Sequence, residues 1–336
     1  MSAAVRHASS PGNPELVAKS PSSAWRAGES PTHSTWRMTA AATGVTYGQR
    51  RPQSAGGGGL VMASETLDLE TVALEGAWVE PRNRWQGADN SIHTDAVARK
   101  IGMRGGTIPG TVHLSHFRPL MEELFGEAWL GRGEISMFYT FATLDGEPVR
   151  AVIERPLEGG LADRQLVARI ETPDGKVVAK GTVACGRPDA PGYVRGLELV
   201  EAPREEIRIL EAMTPGLVTV DKADFRVKDG AEADGVLRDP QEVYRALQPY
   251  SPGVTVTDAV GFFGATEIRW RAGPVRADVT YRKTARVVSV GASPKTEFAW
   301  FDSELTDAAG TLVVDMRHMT RWMKVSSPKW ASPSQG

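Results

Sequence analysis

The sequence has one cysteine, Cys185, among its 336 residues. A single cysteine excludes an intramolecular disulfide and a metal centre built from several thiolates, and it favours a reducing compartment such as the cytoplasm. No run of eighteen apolar residues occurs, so no membrane-spanning helix is predicted. Neither sign of charge is in large excess, since the sequence has 39 lysines and arginines and 41 aspartates and glutamates. The net charge of −2 provides no field for attracting DNA or RNA, and we expect neither nucleic acid nor membrane as a partner.

The composition that remains is that of a globular protein. Hydrophobic residues make up 41% of the chain and charged residues 24%, which is enough to build a sizeable core. The length exceeds what one core comfortably supports, so two modules, or one module with long appendages, are expected.

Residues 1–61 differ from the rest because they are rich in serine, proline, glycine and alanine and show no apolar periodicity. We predict a disordered extension here. A basic, acid-poor N-terminal segment also fits a transit peptide, and a mis-assigned translation start upstream of Met62 would explain it equally well. Residues 327–336 are predicted to be a short tail.

Residues 62–190 read as one α+β module. A short helix is predicted over 94–101, with Asn90 or Ser91 as its cap and Gly102 as its end. A longer helix is predicted from Thr111 to Phe125, with Pro119 kinking or restarting it. Four strands then follow as an antiparallel meander, predicted near 134–143, 149–154, 166–170 and 177–184.

Residues 191–326 are predicted to repeat that module. Three short matches recur in the same order: Glu134-Ile135 as Glu267-Ile268, residues 148–151 as residues 274–277, and Gly175 as Gly310. Three ordered matches favour an internal duplication, although two unrelated antiparallel domains with similar hairpins would also produce them. The region of the second half that aligns with His93 holds no histidine, so we interpret that half as a degenerate, non-catalytic partner.

The segment from Trp85 to Gly110 carries the richest chemistry. His93 lies at a predicted helix N-terminus, where the helix dipole is expected to lower its pKa and keep it neutral. Asp89 precedes it by four residues, and a carboxylate with a neutral imidazole can hold one water for proton transfer. Gly110 opens the longer helix, where bare N–H groups can bind negative charge. A helix cap and a surface histidine would produce the same pattern without any catalysis.

The text from Gly87 to His93, with the glycine turn that ends at Gly110, resembles the MaoC-like dehydratases, the family of (R)-specific enoyl-CoA hydratases. The resemblance implies a double hotdog, with two antiparallel sheets that each wrap around a long helix. It also implies that His93 is catalytic, that Asn90 matches the family's asparagine, and that Gly110 donates its N–H to an oxyanion. The motif departs from the family in two places, because Ala88 stands where the catalytic aspartate is expected and Ser91 replaces proline. Asp89, one residue later, is the candidate replacement acid.

Further residues near the motif are candidate substrate contacts. Paired histidines suggest a metal, yet the spacing of His113 and His116 differs from that of a helical zinc motif, so we predict no metal site. Arginine before the motif could meet a phosphate, or be a solvated surface charge. The predicted substrate-binding residues are Asn90, Ser91, Thr111, His113, His116 and Arg84.

Three functions remain open from the sequence. The first is a hydro-lyase that adds water to an enoyl thioester or removes it from a 3-hydroxyacyl thioester, with coenzyme A or an acyl carrier protein as part of the substrate and no cofactor. The second is a thioester-binding protein without lyase activity. The third is a thioesterase, which needs a water-activating carboxylate such as Asp89 or Glu122. A monomer or a homodimer fits each of them.

Overall fold

Ten antiparallel strands form the framework of the protein, which the computed structural model describes over residues 70–85, 90–251 and 256–330. The predicted N-terminal extension and most of the predicted tail lie outside the described residues. In these ranges no helix is long and apolar enough to cross a membrane. The strands are β1 (Thr71–Glu75), β2 (Gly133–Tyr139), β3 (Arg150–Pro156), β4 (Leu166–Glu171), β5 (Val177–Cys185), β6 (Val218–Phe225), β7 (Gly261–Trp270), β8 (Tyr281–Ala292), β9 (Thr296–Thr306) and β10 (Leu312–Met323).

The described ranges also contain four α-helices and several 3-10 segments. The helices are α1 (Asp95–Lys100), α2 (Arg118–Phe125), α3 (Trp129–Arg132) and α4 (Pro240–Leu247). The predicted longer helix begins as a 3-10 segment, Gly110–Phe117, and becomes α2 with Pro119 in its first turn. Proline lacks an N–H and tolerates the first turn of a helix, so Pro119 restarts the helix as expected. Gly126 then ends α2 with a φ of 56°.

All ten described strands belong to one sheet, in the order β1-β3-β4-β5-β2-β7-β10-β9-β8-β6. The prediction of two separate sheets is therefore wrong. The antiparallel pairing of β2 with β7, in which Ile135 faces Ile268, joins the two halves. The prediction of a long helix in each half is also wrong, because the second half has only the eight-residue α4 in that place. The large antiparallel sheet with helices packed on it is as expected.

The two halves of the sheet have the same strand order about the β2–β7 pair. All three sequence matches occupy equivalent places. Glu134-Ile135 and Glu267-Ile268 lie on the paired central strands, and Gly175 and Gly310 lie in the β4–β5 and β9–β10 turns with φ of 77° and 82°. Residues 148–151 and 274–277 lead to the equivalent strands β3 and β8, and each segment forms an antiparallel bridge with the chain upstream, Val149 with Val79 and Arg276 with Val236. The division of the chain near residue 190 stays a prediction.

Strand alternation places the main core between the helices and the sheet. Ile135, Ile268 and Trp270 point to the same side as Leu114 and Phe117 of the helical run, and all five are buried. Neighbouring residues on a strand point to opposite faces, so Ala265 packs instead under the connection between β5 and β6, with Val194. The core thus fixes the start of the helical run against the centre of the sheet.

Candidate functional site

A cleft of about 340 Å³ opens where the helical run meets the central strands. Both halves of the chain line it, because β7 contributes its first three residues next to β2. His93, Gly110 and His113 are the predicted site residues that it brings together. The lining residues are Ile92, His93, Met103, Thr107, Ile108, Pro109, Gly110, His113, Tyr139, Thr140, Phe141, Ala142, Gly261, Phe262 and Phe263.

His93 is half-buried, and its ring is held by one short hydrogen bond. Its Nδ1 lies 2.6 Å from the carbonyl oxygen of Thr107. A carbonyl only accepts, so Nδ1 carries the proton and donates it, and Nε2 of the neutral ring keeps a lone pair. This arrangement makes Nε2 the nitrogen that can accept a proton from a bound molecule.

The pKa of His93 is lowered from its usual range, chiefly because burial disfavours the charged ring, while the hydrogen bond to Thr107 acts in the opposite direction. The expected contribution of a helix dipole stays a prediction. Helix α1 begins two residues later, is capped at Thr94 rather than at Asn90 or Ser91, and has only six residues. The ring is therefore neutral at neutral pH for reasons of burial.

The backbone around His93 is fixed by contacts with the glycine turn. Asn83 Nδ2 donates to the His93 carbonyl oxygen at 2.8 Å, and Gly106 N–H donates to Asp95 Oδ1 at 2.7 Å. A Cβ on Gly106 would lie 2.5 Å from the His93 oxygen, so only glycine lets the two segments approach this closely. The turn, predicted from its composition, thus serves to position the histidine.

Gly110 opens the 3-10 segment beside the cleft, and its N–H has no acceptor within that segment. The ring of Tyr139 lies on its α-carbon, because a Cβ there would come within 2.9 Å of the ring atoms Cγ and Cδ2. A glycine is required for this contact. Gly110 lines the cleft, so its N–H is a candidate donor to a ligand oxygen there.

Two buried polar atoms at the cleft have no hydrogen-bond partner among the described residues, namely Thr107 Oγ1 and His113 Nδ1. His113 Nε2 pairs with Thr143 Oγ1 at 3.0 Å, and burial, with the neighbouring His116, lowers the pKa of His113 to about 3. An unpaired buried polar group is costly, so these atoms are candidate hydrogen-bonding partners for water or a ligand in the cleft.

The other predicted contact residues lie apart from the cleft lining. Asn90 is exposed with a φ of 55°, and Ser91 Oγ accepts from the N–H of His93 at 3.2 Å. Thr111 is buried, His116 is half-buried with its pKa lowered by burial to about 4, and Arg84 is exposed. Asp89 and Ala88 lie outside the described residues, so their roles stay predictions.

Metal ligation finds no support among the described residues, where no three histidine, cysteine, aspartate or glutamate side chains are grouped for an ion. Three arginines of the second half pair with carboxylates: Arg276 with Asp278, Arg282 with Asp221 and Arg317 with Asp302.

Sequence reasoning missed Tyr139, Phe262 and Phe263. Tyr139 lies at the end of β2, which ends four residues before its predicted end, and the two phenylalanines are more than 120 residues further along the chain. Only the long-range pairing of β2 with β7 brings them to the cleft. No local pattern in the sequence signals that pairing.

No family model matches the sequence, and no curated protein is significantly similar to it. Several solved structures are similar in fold. The dehydratase domain of PpsC from Mycobacterium tuberculosis, in complex with C12:1-CoA, is 12% identical with a TM-score of 0.40, covering 65% of this chain and 85% of that one. A MaoC domain protein from Chloroflexus aurantiacus is 11% identical with a TM-score of 0.44, covering 75% and 95%. The 12:0-ACP thioesterase from Umbellularia californica is 11% identical with a TM-score of 0.45, covering 74% and 94%.

Proposed function

We propose that the protein is a hydro-lyase that hydrates an enoyl thioester, or dehydrates a 3-hydroxyacyl thioester, in the cleft beside His93. The observation that carries the proposal is the shared cleft: a neutral imidazole with a lone pair on Nε2 and the bare N–H of Gly110 line the same cavity. The motif around His93 adds to it. Coenzyme A or an acyl carrier protein would form the rest of the substrate.

In the hydration direction, water adds to C3 of the enoyl group and its proton passes to Nε2 of His93. Negative charge develops on the thioester oxygen, where the Gly110 N–H stabilises it. A proton is then delivered to C2, which completes the addition of one water. Asp89 is the acid that the sequence offers for this step. The reaction needs no redox cofactor or metal ion.

The experiment follows the loss of enoyl absorbance with crotonyl-CoA and longer enoyl-CoA substrates. Substitution His93→Ala is expected to lower kcat at least about 100-fold, because general acid–base catalysis contributes that much. His116→Gln is the control, since His116 lies outside the cleft lining. Equal activity of wild type and His93→Ala would reject the site.

The pH profile of kcat/KM provides a second test. His93 acts as a base only when neutral, and its pKa is lowered below the usual 6.5 by burial. Activity is therefore expected to stay level as the pH falls through 6.5 and to decline only below it. A decline centred above pH 6.5 would contradict the assignment.

One of the two carboxylates proposed for a thioesterase, Glu122, does not lie at the cleft. Glu122 is exposed on α2, is paired with Arg118 at 2.7 Å, and does not line the cleft. Release of free thiol from acyl-CoA without hydration would revive that alternative through Asp89. Acyl-CoA binding measured by calorimetry, with no turnover, would instead support a binding protein.

A further inference from the structure

A hydrogen-bonded chain of side chains runs from the cleft into the second half of the molecule. Tyr139, at the end of β2, donates its hydroxyl to Thr266 Oγ1 on β7 at 3.0 Å. Burial raises the pKa of the Tyr139 hydroxyl, so it stays protonated and remains a donor. The chain therefore crosses the strand pair that joins the two halves.

The chain ends at a buried histidine. Thr266 Oγ1 lies 2.9 Å from Nδ1 of His318 on β10, and neither residue is exposed to solvent. Burial lowers the pKa of His318 to about 3, so its ring is neutral and takes part as a hydrogen-bonding group rather than as a charge. Hydrogen bonds in such a chain strengthen one another in a low-dielectric interior.

Aromatic rings hold the far end of the chain in place. The ring centroid of Phe263 lies 4.8 Å from that of His318, and the centroid of Tyr244 lies 5.1 Å from it. Phe263 itself lines the cleft. The imidazole of His318 is therefore closely packed, and Thr266 and Tyr139 are hydrogen-bonded in a chain that ends at this fixed ring.

The end of the hydrogen-bonded chain that lies nearest the cleft is the ring of Tyr139, which lies on Gly110. Any shift of the Tyr139 ring acts on the α-carbon of Gly110, because the two are already in contact. The N–H that the proposed mechanism uses belongs to the same residue. An oxyanion donor must be aimed in advance, and a displacement of about 1 Å can reduce catalysis by as much as 100-fold.

We propose that Thr266 and His318 are positioning residues: through the Tyr139 ring they fix the direction of the Gly110 N–H in the cleft. The inference rests on the proposed function and extends it. The second half, interpreted from its sequence as a non-catalytic partner, thereby sets the geometry of the oxyanion site in the first half.

The kinetic test replaces Thr266. Thr266→Val removes the acceptor for Tyr139 and is expected to lower kcat about tenfold while KM changes less than about twofold, because the N–H acts on charge that develops in the transition state. Thr266→Ser keeps the hydroxyl and is expected to restore kcat. Tyr139→Phe, which keeps the ring and loses the same bond, provides a second variant should Thr266→Val fold poorly.

Thr296→Val is the control. Thr296 is also buried at a strand, and its Oγ1 lies 2.9 Å from Ser293 Oγ, but neither residue lines the cleft. A loss of thermal stability is expected with kcat unchanged. Equal kcat values for Thr266→Val and Thr296→Val would overturn the proposal.

A spectroscopic readout separates this inference from the proposed function. In protein labelled with ¹⁵N-glycine, the Gly110 amide is assigned by its loss in Gly110→Ala. Thr266→Val is expected to shift that resonance, and Thr296→Val to leave it in place, whether or not enoyl-CoA is turned over. A wild type inactive on every enoyl thioester would reject the function, whereas an unmoved Gly110 resonance would reject the positioning chain.

Discussion

Glu134 and Glu267 are two glutamates on neighbouring central strands whose carboxylates both lie against Gly192. A Cβ on that glycine would come within 2.3 Å of Glu134 Oε1 and 2.5 Å of Glu267 Oε2. Burial, followed by the charge of Glu267, raises the pKa of Glu134 to about 7. Gln165 Nε2 donates to Glu134 Oε1 at 2.9 Å, a bond that either protonation state can accept. The native state therefore keeps a proton that the unfolded chain releases.

This proton gives stability a pH dependence. Since the folded pKa of about 7 exceeds the unfolded value of 4.5, the folded state binds more protons between them, and stability falls as the pH rises through 7. Glu134→Gln mimics the protonated form. It is expected to be more stable than wild type by on the order of 1–3 kcal/mol at pH 8, with little difference near pH 4.5.

Urea unfolding at several pH values measures the effect. Glu158→Gln, at an exposed glutamate, is the control, and its difference in stability from wild type is expected to stay the same at every pH. A Glu134→Gln protein that loses stability at pH 8 would show that the carboxylate is needed in its charged form.

Single residues of the candidate site were predictable only where the signal is local. His93 and Gly110 stand out because a histidine near a glycine turn and a glycine at a helix start are patterns of a few residues. The cause of the lowered His93 pKa was not predictable, because it depends on burial by segments distant in sequence. No local sequence pattern identifies Tyr139, since its proposed role depends on a hydrogen bond to Thr266 on another strand.

Among the elements, the turn from Gly105 to Gly110 has the most direct effect on the site. Gly106→Ala would bring a Cβ to 2.5 Å from the His93 carbonyl oxygen, so the backbone must move. Such overpacking is expected to cost about 1–3 kcal/mol of stability and to reduce activity. Thermal unfolding together with the hydration assay checks both effects.

Gly160→Ala is the matched glycine control, because nothing lies within 4 Å of its added Cβ. Alanine restricts the unfolded chain more than glycine does. Without a steric clash in the folded state, this is expected to stabilise the protein by about 0.4–1 kcal/mol. If the two variants behave alike, the close approach at Gly106 does not position the histidine loop.

The elements of the first half followed their sequence signals closely, because each signal is local: Gly102 and Gly126 end helices and Asp174-Gly175 turns a hairpin. The second half shows the limit of this reasoning. There α4 has eight residues, whereas the helical run of the first half joins an eight-residue 3-10 segment to the eight-residue α2.

At the scale of the whole molecule, one sheet formed where two were expected. Alternation of apolar residues shows which face of a strand is buried, but not which other strand its backbone pairs with. The patterns within each half therefore could not reveal that β2 and β7 pair. The connection between β5 and β6 reinforces the junction. Arg195 on that connection lies 2.8 Å from Glu267 and 2.6 Å from Asp315, both buried.

Arg195→Met is therefore expected to destabilise the protein by about 1–3 kcal/mol, since it removes one cation from buried Glu267 and Asp315 while Arg269 and Arg271 still pair with Asp315. Arg282→Met, at the exposed pair with Asp221, is expected to cost less than about 1 kcal/mol. Guanidinium unfolding compares the two. Equal midpoints would show that the connection contributes little to holding the halves together.

Because one polypeptide supplies both walls of the cleft, His93 and Phe263 are tethered at a fixed effective concentration. Dilution cannot separate them, whatever further assembly the protein undergoes. We therefore expect the proposed activity to stay level per enzyme molecule on dilution, whereas a site shared between two unlinked chains would lose activity below their dissociation constant.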